Sequence, residues 1–566
     1  MAVQAKFRHT LYAHPLFLFL VVSACWILLL YHRALSAPFV YDDITIIERN
    51  PALRSWSGTL QYFAVSSSFS ADFLGVSGSY YRPLTWLSFA LDRSLWGLHP
   101  AGFHFTNLAL TWLNGVLAYL LLKRLGVSLV LAMLSPLVWL GLPVNSEAVI
   151  WISARCYSLS VIFVLVALLL AQSDVVTNRI PFVFGYFCAT LAALLSHETG
   201  LLIVPLTVLL AFAQREAASV RLRLIRLSVA GLSADAIYFL LKHGASRGLP
   251  GSFSLSLWPA ARELFQYLGW MLLPLRMSIE RSTDTPPNAP AMLTVIAWIA
   301  FIVLCSTLVV ARAKWPELAG GWCWMVIALL PFCVIALYQG MGERYTYLAS
   351  FGLAFAIAGT VLRLKTRARS ISAIVATVWV LWGAWRLEAR AADWANETQL
   401  YASSLETTPG SWVLLLNLGN AYLNSGHYGA AKDAYERALT VNPKAVKAAI
   451  NLAASLQLLG DLRGAEKEYV YAISLAPRQG DIYTDLGALV FSEGKTDYAE
   501  QLLARAISLN PYDATAYFDL GVLYERSGRY GQAVSMFEKT LTLNPEYPDA
   551  RRGLQQAEAK AQQSLR

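Results

Sequence analysis

Charge is scarce in this chain, and so are cysteine and the short motifs of most catalytic families. Only 14% of the 566 residues are Asp, Glu, Lys or Arg, 56% are hydrophobic and the mean hydropathy is +0.47. That composition excludes an ordinary soluble domain. The six cysteines (25, 156, 188, 305, 323 and 333) all fall in or beside apolar runs, and none has metal-ligand spacing. Neither a disulfide framework nor a zinc site is indicated. There is no Gly-rich phosphate loop and no nucleophile motif, so nucleotide-sugar or ATP use at a membrane is unsupported. No small-residue cleavage site follows the first apolar run, which therefore reads as an anchor and not as a cleaved leader.

The charge that is present is unevenly spread. Residues 1–392 carry 29 Lys+Arg against 16 Asp+Glu, while residues 393–566 carry 16 against 20. Basic charge belongs to the apolar part, where it orients helices, which makes nucleic-acid binding the weaker explanation. Apolar runs approaching a span of roughly 20 residues lie near 14–34, 101–122, 128–143, 150–171, 180–196, 199–213, 226–242, 291–311, 318–338, 346–362 and 370–387. They predict an all-α membrane domain of about eleven helices over 1–392. With Lys6 and Arg8 in the cytoplasm, the inner loops carry Lys123, Arg124, Arg179, Arg215, Arg221, Arg223, Arg226, Arg312, Lys314 and the run Arg363–Arg369. These loops are short, and their basic density is roughly twofold that of the outer ones, as the positive-inside rule requires. Of the acids, only Asp174, Glu216 and Glu317 fall inside. Asp235, alone within its helix, reads as structural. Two outer loops are long: 35–100, with an amphipathic helix expected at 84–96, and 243–290, where Trp258–Leu275 reads as interfacial or re-entrant.

After residue 392 the pattern changes. Prolines recur at 409, 443, 477, 511 and 545, a step of 34 residues, which is the period of tetratricopeptide repeats. The first unit shows Leu418-Gly419, Tyr422, Ala431, Tyr435, Ala438 and Asn442-Pro443, and the later units repeat it. Small residues let paired helices approach, large ones fill the gap, and proline ends the second helix. The predicted organisation is a lead-in segment 393–410, four repeats over 411–547 and a capping helix 548–566. An odd number of spans puts this array outside the cytoplasm.

Acidic residues then gather where helices emerge on that outer face: Asp42 and Asp43, Glu147, Glu198 and Glu343. Ionisable groups at helix ends of an apolar protein cost free energy, so their convergence marks a candidate site. Transfer of a lipid-phosphate sugar to a hydroxyl needs a carboxylate to accept the hydroxyl proton. It also needs cations or hydrogen-bond donors to stabilise the departing phosphate. Asp42 and Asp43 are candidates for the first role. Arg82, Arg155, His197 and Arg344 are candidates for the second, with Glu147, Glu198 and Glu343 lining the same region. A structural reading stands beside each: a snorkelling Arg82, a polar network of Glu147, His197 and Glu198 holding helix ends, and an ion pair at Glu343-Arg344 fixing a loop.

The ordered series Tyr41-Asp42-Asp43, Asn50-Pro51-Ala52-Leu53, Tyr81-Arg82-Pro83-Leu84 and Trp96-Gly97-Leu98-His99-Pro100 with Phe103-His104 and Asn107 carries a resemblance. So do Ser146-Glu147-Ala148-Val149 with Arg155, Ser196-His197-Glu198-Thr199 and Glu343-Arg344-Tyr345-Thr346-Tyr347-Leu348. Together they resemble the transmembrane-and-tetratricopeptide-repeat O-mannosyltransferases and their bacterial relatives, which have the GT-C glycosyltransferase fold. The resemblance implies inverting transfer of a sugar, mannose among the candidates, from a polyprenyl-phosphate carrier to a protein or glycan hydroxyl. It also implies an acidic base in the first outer loop, at Asp42 or Asp43. Relatives often carry Lys where His197 stands, and that exchange would make a phosphate contact pH-dependent.

No cofactor is called for, although paired aspartates could hold a divalent metal. The expected partners are the lipid-linked sugar, membrane lipid and an acceptor held by the repeats. The expected location is a bacterial inner membrane. Two other readings remain open at this level: a non-enzymatic scaffold anchored in the membrane, and a ligase or polymerase of lipid-linked polysaccharide.

Overall fold

A computed structural model describes residues 2–64, 67–68, 79–172, 180–213, 219–245, 256–281, 290–335, 341–547 and 549–564. Asp174, Arg179, Arg215 and Glu216, and parts of both long outer loops, lie outside the described residues. The chain forms two compact units, Met1–Pro409 and Gly410–Arg566.

The first unit is helical apart from two paired two-residue strands, Ser67–Ser68 and Ser79–Tyr80. Among the described residues, seven helices are long and apolar enough to cross a membrane: Pro15–Ser36, Pro100–Arg124, Ile152–Ala171, Arg223–Ala245, Ala291–Ala311, Pro316–Val334 and Thr366–Asp393. A bent pair, Leu129–Leu140 and Pro143–Ile150 at 57°, raises the count to eight. The other three expected segments are apolar helices too, but shorter: Ile180–Ser196, Glu198–Phe212 and Ala349–Arg363. Hydropathy finds all eleven segments; it does not see that polar breaks shorten four of them. The helix Pro83–Trp96 and the 13-residue helix Ala260–Leu272 occupy the two long loops, 35–100 and 243–290. The second is too short to cross a bilayer on its own.

The breaks position the site. Tight 3-10 turns at Pro143–Asn145, Ile152–Ala154 and Glu198–Leu202 lead directly into a helix, and one at Glu343–Thr346 does so two residues later. Irregular backbone at membrane depth survives only where protein buries it or it lines a cavity. Here the turns are largely buried, and each carries or adjoins expected site residues: Glu147, Arg155, His197 with Glu198, and Glu343 with Arg344. Below the first loop, Ile47, Leu53, Trp86, Phe89, Phe103 and Ile152 form a shared apolar core. That core fixes the loop 37–64 against the helix bundle.

The second unit is four helix pairs and a last helix, from Trp412–Asn424 to Ala550–Ser564. The second helix of each pair ends two residues before its proline: Val441, Leu475, Leu509 and Leu543. Within each pair the first helix closes on a left-handed glycine, Gly426, Gly460, Gly494 and Gly528, with φ of +77°, +85°, +82° and +74°. Only glycine takes that conformation without a Cβ penalty. Close approach is enforced at Gly419, where an added Cβ would meet Tyr435 at 2.4 Å. Tyr435 is fully buried and its hydroxyl donates to Asn420, so it cannot swing away. Gly419→Ala is therefore expected to destabilise the array by about 1–3 kcal/mol, read as faster proteolysis of the array in the full chain.

The segment 393–410, expected as a lead-in, holds the helix Glu397–Thr407, and it packs with the first unit. Leu400 and Tyr401 are buried there, and Thr408 donates to the carbonyl of Glu280.

Candidate active site

The aspartate pair sits on a backbone that a tyrosine would not choose. Tyr41 has φ +57°, a left-handed conformation that costs a bulky residue about 1–2 kcal/mol. It is held there: its N–H donates to Glu397 Oε1 at 3.1 Å, and its ring packs on Trp151 at 5.3 Å and Tyr401 at 6.2 Å. The two following carboxylates then part company. Asp43 is fully buried, and its Oδ1 accepts from the Ser153 N–H at 2.8 Å and from the Ser153 hydroxyl. Asp42 is only partly buried, and among the described residues nothing donates to its carboxylate.

Both acids titrate well above the ordinary carboxylate range. Burial pushes Asp42 up to about 7, the neighbouring Asp43 adds to the rise, and the Arg344 guanidinium pulls it partly back. Burial also takes Asp43 up to about 7, against the hydrogen bonds from Ser153. A group that changes charge near neutrality, with a free oxygen and a cation nearby, fits the demand on a general base.

Arg344 comes from the turn before the helix Ala349–Arg363. Its Nη1 donates to Glu147 Oε1 at 2.5 Å and its N–H to Glu147 Oε2 at 2.9 Å, with both side chains buried. The guanidinium also lies over the Tyr345 ring at 4.8 Å and the Trp151 ring at 5.8 Å. Trp151 thus stands between Tyr41 and Arg344. Glu343, one residue earlier, faces the other way. Its Oε1 accepts from Arg281 at 2.7 Å and from the Ser278 N–H at 2.8 Å, and Arg281 stacks on Trp270. Glu343 latches the segment 276–281 to the 341–346 turn.

A second charged group lies across a narrow cleft. Arg82 donates through Nε and Nη2 to Glu198 Oε2 at 3.0 and 2.7 Å, and Lys242 reaches Glu198 Oε1 at 3.3 Å. Two cations on one carboxylate leave a positive excess. His197 beside them is buried, and its Nδ1 accepts from the Thr199 N–H at 3.0 Å, so the ring proton is on Nε2. Burial first, and then Arg82, hold its pKa well below the usual value. His197 is a neutral cap of the following turn, not a titrating cation. Tyr157 packs on His197 at 4.1 Å and on Tyr345 at 6.1 Å, bridging the two charged groups. Tyr157, Thr199, Phe332, Arg344 and Tyr345 line the cleft.

Of the nine expected residues, Arg344 lines the cleft, Glu147 and His197 touch its lining, and Arg82 and Glu198 pair beside His197; Asp42 is within reach of the Arg344 charge, while Asp43 is bound to Ser153. Glu343 faces the 276–281 segment. Arg155 is elsewhere in chemical terms. It is fully buried, with Nη2 on Asp92 at 2.6 Å and on the Phe103 carbonyl at 2.9 Å, Nε on Asn107 at 2.7 Å and Nη1 on the Ser88 carbonyl at 3.3 Å. Every donor face of the guanidinium is occupied by protein, which makes it a strut. Sequence reasoning missed Ser153, Trp151, Tyr157, Lys242 and Glu397. A lysine in the last turn of the helix Ser219–Ala245, after the apolar stretch Ala236–Leu241, was the available signal for Lys242. Among the described residues no three His, Cys, Asp or Glu side chains gather as a metal site.

The chain resembles known proteins in both units. Tetratricopeptide-repeat models match residues 412–445, 484–550 and 518–564. Protein O-mannosyl-transferase TMTC3 of Mus musculus is 25% identical over 76% of this chain and 51% of its own length. Protein O-mannosyl-transferase F38B6.6 of Caenorhabditis elegans is 26% identical over 73% of this chain and 61% of its own. Mouse protein O-mannosyl-transferase TMTC2 is 25% identical over 74% of the chain and 62% of its own. The chain thus spans about half to three-fifths of the length of these relatives. Matches of that extent exceed the 410–566 unit and take in the membrane part. Among solved structures, the crystal structure of MamA is 26% identical over 26% of this chain and 87% of its own, with a TM-score of 0.25.

Proposed function

We propose that this chain, a relative of the tetratricopeptide-repeat protein O-mannosyl-transferases, is a membrane glycosyltransferase that uses a polyprenyl-phosphate sugar. The observation that carries the reading is Asp42: a carboxylate with no hydrogen-bond donor among the described residues, titrating near 7, within electrostatic reach of Arg344, a cation that lines the cleft. The names of the relatives supply the reaction class and nothing finer.

The step follows from the chemistry. An acceptor hydroxyl oxygen attacks the anomeric carbon as Asp42 takes the hydroxyl proton. The bond from that carbon to the phosphate oxygen breaks on the opposite face, so the configuration inverts. Polyprenyl phosphate leaves with the electron pair, and its added charge is met by Arg82 and Lys242. Cations fixed in a water-poor cleft stabilise such charge without reorganising. Asp43 has the positioning role: bound to Ser153, it sets the turn from which Asp42 projects, and its charge keeps the neighbouring proton affinity high. The repeats, outside the cytoplasm with the site, hold the acceptor protein or glycan.

The experiment is transfer from polyprenyl-phosphate mannose to envelope or secretory proteins by the purified full chain, followed against pH. Because the raised pKa belongs to the base, the productive form is the deprotonated one. The rate is expected to level off above pH 8 or so and to fall about tenfold per unit below pH ~6. No transfer from folded protein, or a rate flat from acid to neutral pH, would remove Asp42 from the role. A polymeric product in place of a protein-linked sugar would favour a polysaccharide ligase.

A further inference from the structure

The helix Glu397–Thr407 precedes the repeats in sequence and looks like a spacer, but it grips the two loops that build the site. At its start, Glu397 Oε1 accepts the Tyr41 N–H at 3.1 Å, while the Tyr401 hydroxyl donates to the same carboxylate. At its end, Ser404 accepts from the Ile279 N–H at 3.4 Å, Thr407 donates to the Met277 carbonyl at 3.2 Å, and Thr408 meets Ser278 at 3.1 Å. Ser278 in turn donates its N–H to Glu343, next to Arg344.

The Glu397 contact matters because of where it lands. Tyr41 is one of two non-glycine residues with positive φ among those described, and it immediately precedes Asp42. A backbone well of that kind persists only when its surroundings over-determine it. Tyr41 lies 356 residues from the carboxylate that receives its N–H. Release of that bond removes one of the contacts that hold Tyr41 at positive φ. A change in φ there rotates the following peptide, and with it the direction in which the Asp42 side chain leaves the chain.

We infer that Glu397 is a positioning residue for the aspartate loop: its carboxylate helps hold Tyr41 left-handed and so sets the direction in which Asp42 leaves the chain. The inference rests on the reading of Asp42 as the base, and its test is built to fail separately. Glu397→Ala removes the acceptor. Glu397→Gln keeps an Oε1 acceptor in the same place and loses only the charge.

Two measurements on the full chain in nanodiscs decide the matter. The first is amide hydrogen exchange over residues 40–44. Exchange is expected to rise at least about tenfold in Glu397→Ala and to stay at the wild-type level in Glu397→Gln. The second is steady-state transfer. In Glu397→Ala, kcat should fall roughly 10–100-fold with the donor KM within about threefold, and Glu397→Gln should restore most of it.

Unchanged protection of 40–44 in Glu397→Ala overturns the positioning role, whatever transfer does. A matched fall in transfer for Ala and Gln overturns it too, because charge and not the hydrogen bond would then be at work. If wild-type protein transfers nothing while the exchange pattern appears as described, the transferase reading fails and the hold on the loop stands.

Discussion

Asp42→Asn is expected to lower transfer by roughly 10³-fold while leaving donor binding within about threefold. Asparagine has the shape of aspartate, and among the described residues the Asp42 carboxylate takes no hydrogen bond that the amide would break. What it removes is the ability to accept a proton. Asp43→Asn is expected to behave differently. Its Oδ1 can still accept from Ser153, but the amide nitrogen would take the place of Oδ2, which is buried with no donor or acceptor beside it. The result should be a partial loss, on the order of tenfold, with a less stable loop. Binding of a fluorescent polyprenyl phosphate and single-turnover transfer separate the two cases. If Asp43→Asn is silent in transfer while bound donor is retained, and Asp42→Asn is active, the roles are reversed.

The contrast between these adjacent acids shows what the sequence carried. Both stood out because two carboxylates after an apolar helix are costly, and cost is visible in composition. Their different surroundings depend on Ser153, 110 residues away and without any pattern of its own. The array was legible in full because its physics is local: small residues, large residues and prolines repeat every 34 positions, and each pair packs on its neighbour. The membrane helices were legible as apolar runs. Their interruption was not, because hydropathy averages over the buried turns at 143–145, 198–202 and 343–346. Those turns create the site. Glu147 and Arg344 were both expected there but not as partners, since nothing in a string of residues tells which arginine takes which acid. Nor did it tell that Arg155 is enclosed by Asp92, Asn107 and two carbonyls, or that Lys242 reaches Glu198.

Arg155→Met tests that distinction with a large effect of another kind. Methionine approximates the apolar stem of arginine but donates nothing. Asp92, 2% exposed, would keep the hydroxyl of Thr106 at 2.8 Å and lose its cation; Asn107 Oδ1 and the carbonyls of Ser88 and Phe103 would lose a donor each. Breaking a buried pair from one side typically costs about 3–5 kcal/mol. In nanodiscs this should appear as a markedly lower unfolding temperature. Burial already raises the Asp92 pKa, and Arg155 is the main influence opposing it. Without the guanidinium the folded-state value climbs further above the unfolded one, so the penalty is smallest in acid and grows as pH rises through that folded value. Arg155→Met with Asp92→Asn should recover part of the loss, since no charge is then left buried alone. Transfer per folded molecule should stay within about threefold of wild type, whereas loss of a cation on the leaving phosphate would cost roughly 10²-fold or more. A variant that stays stable and loses transfer would return Arg155 to the donor site; an unstable one that still transfers keeps it as the strut beneath the aspartate loop.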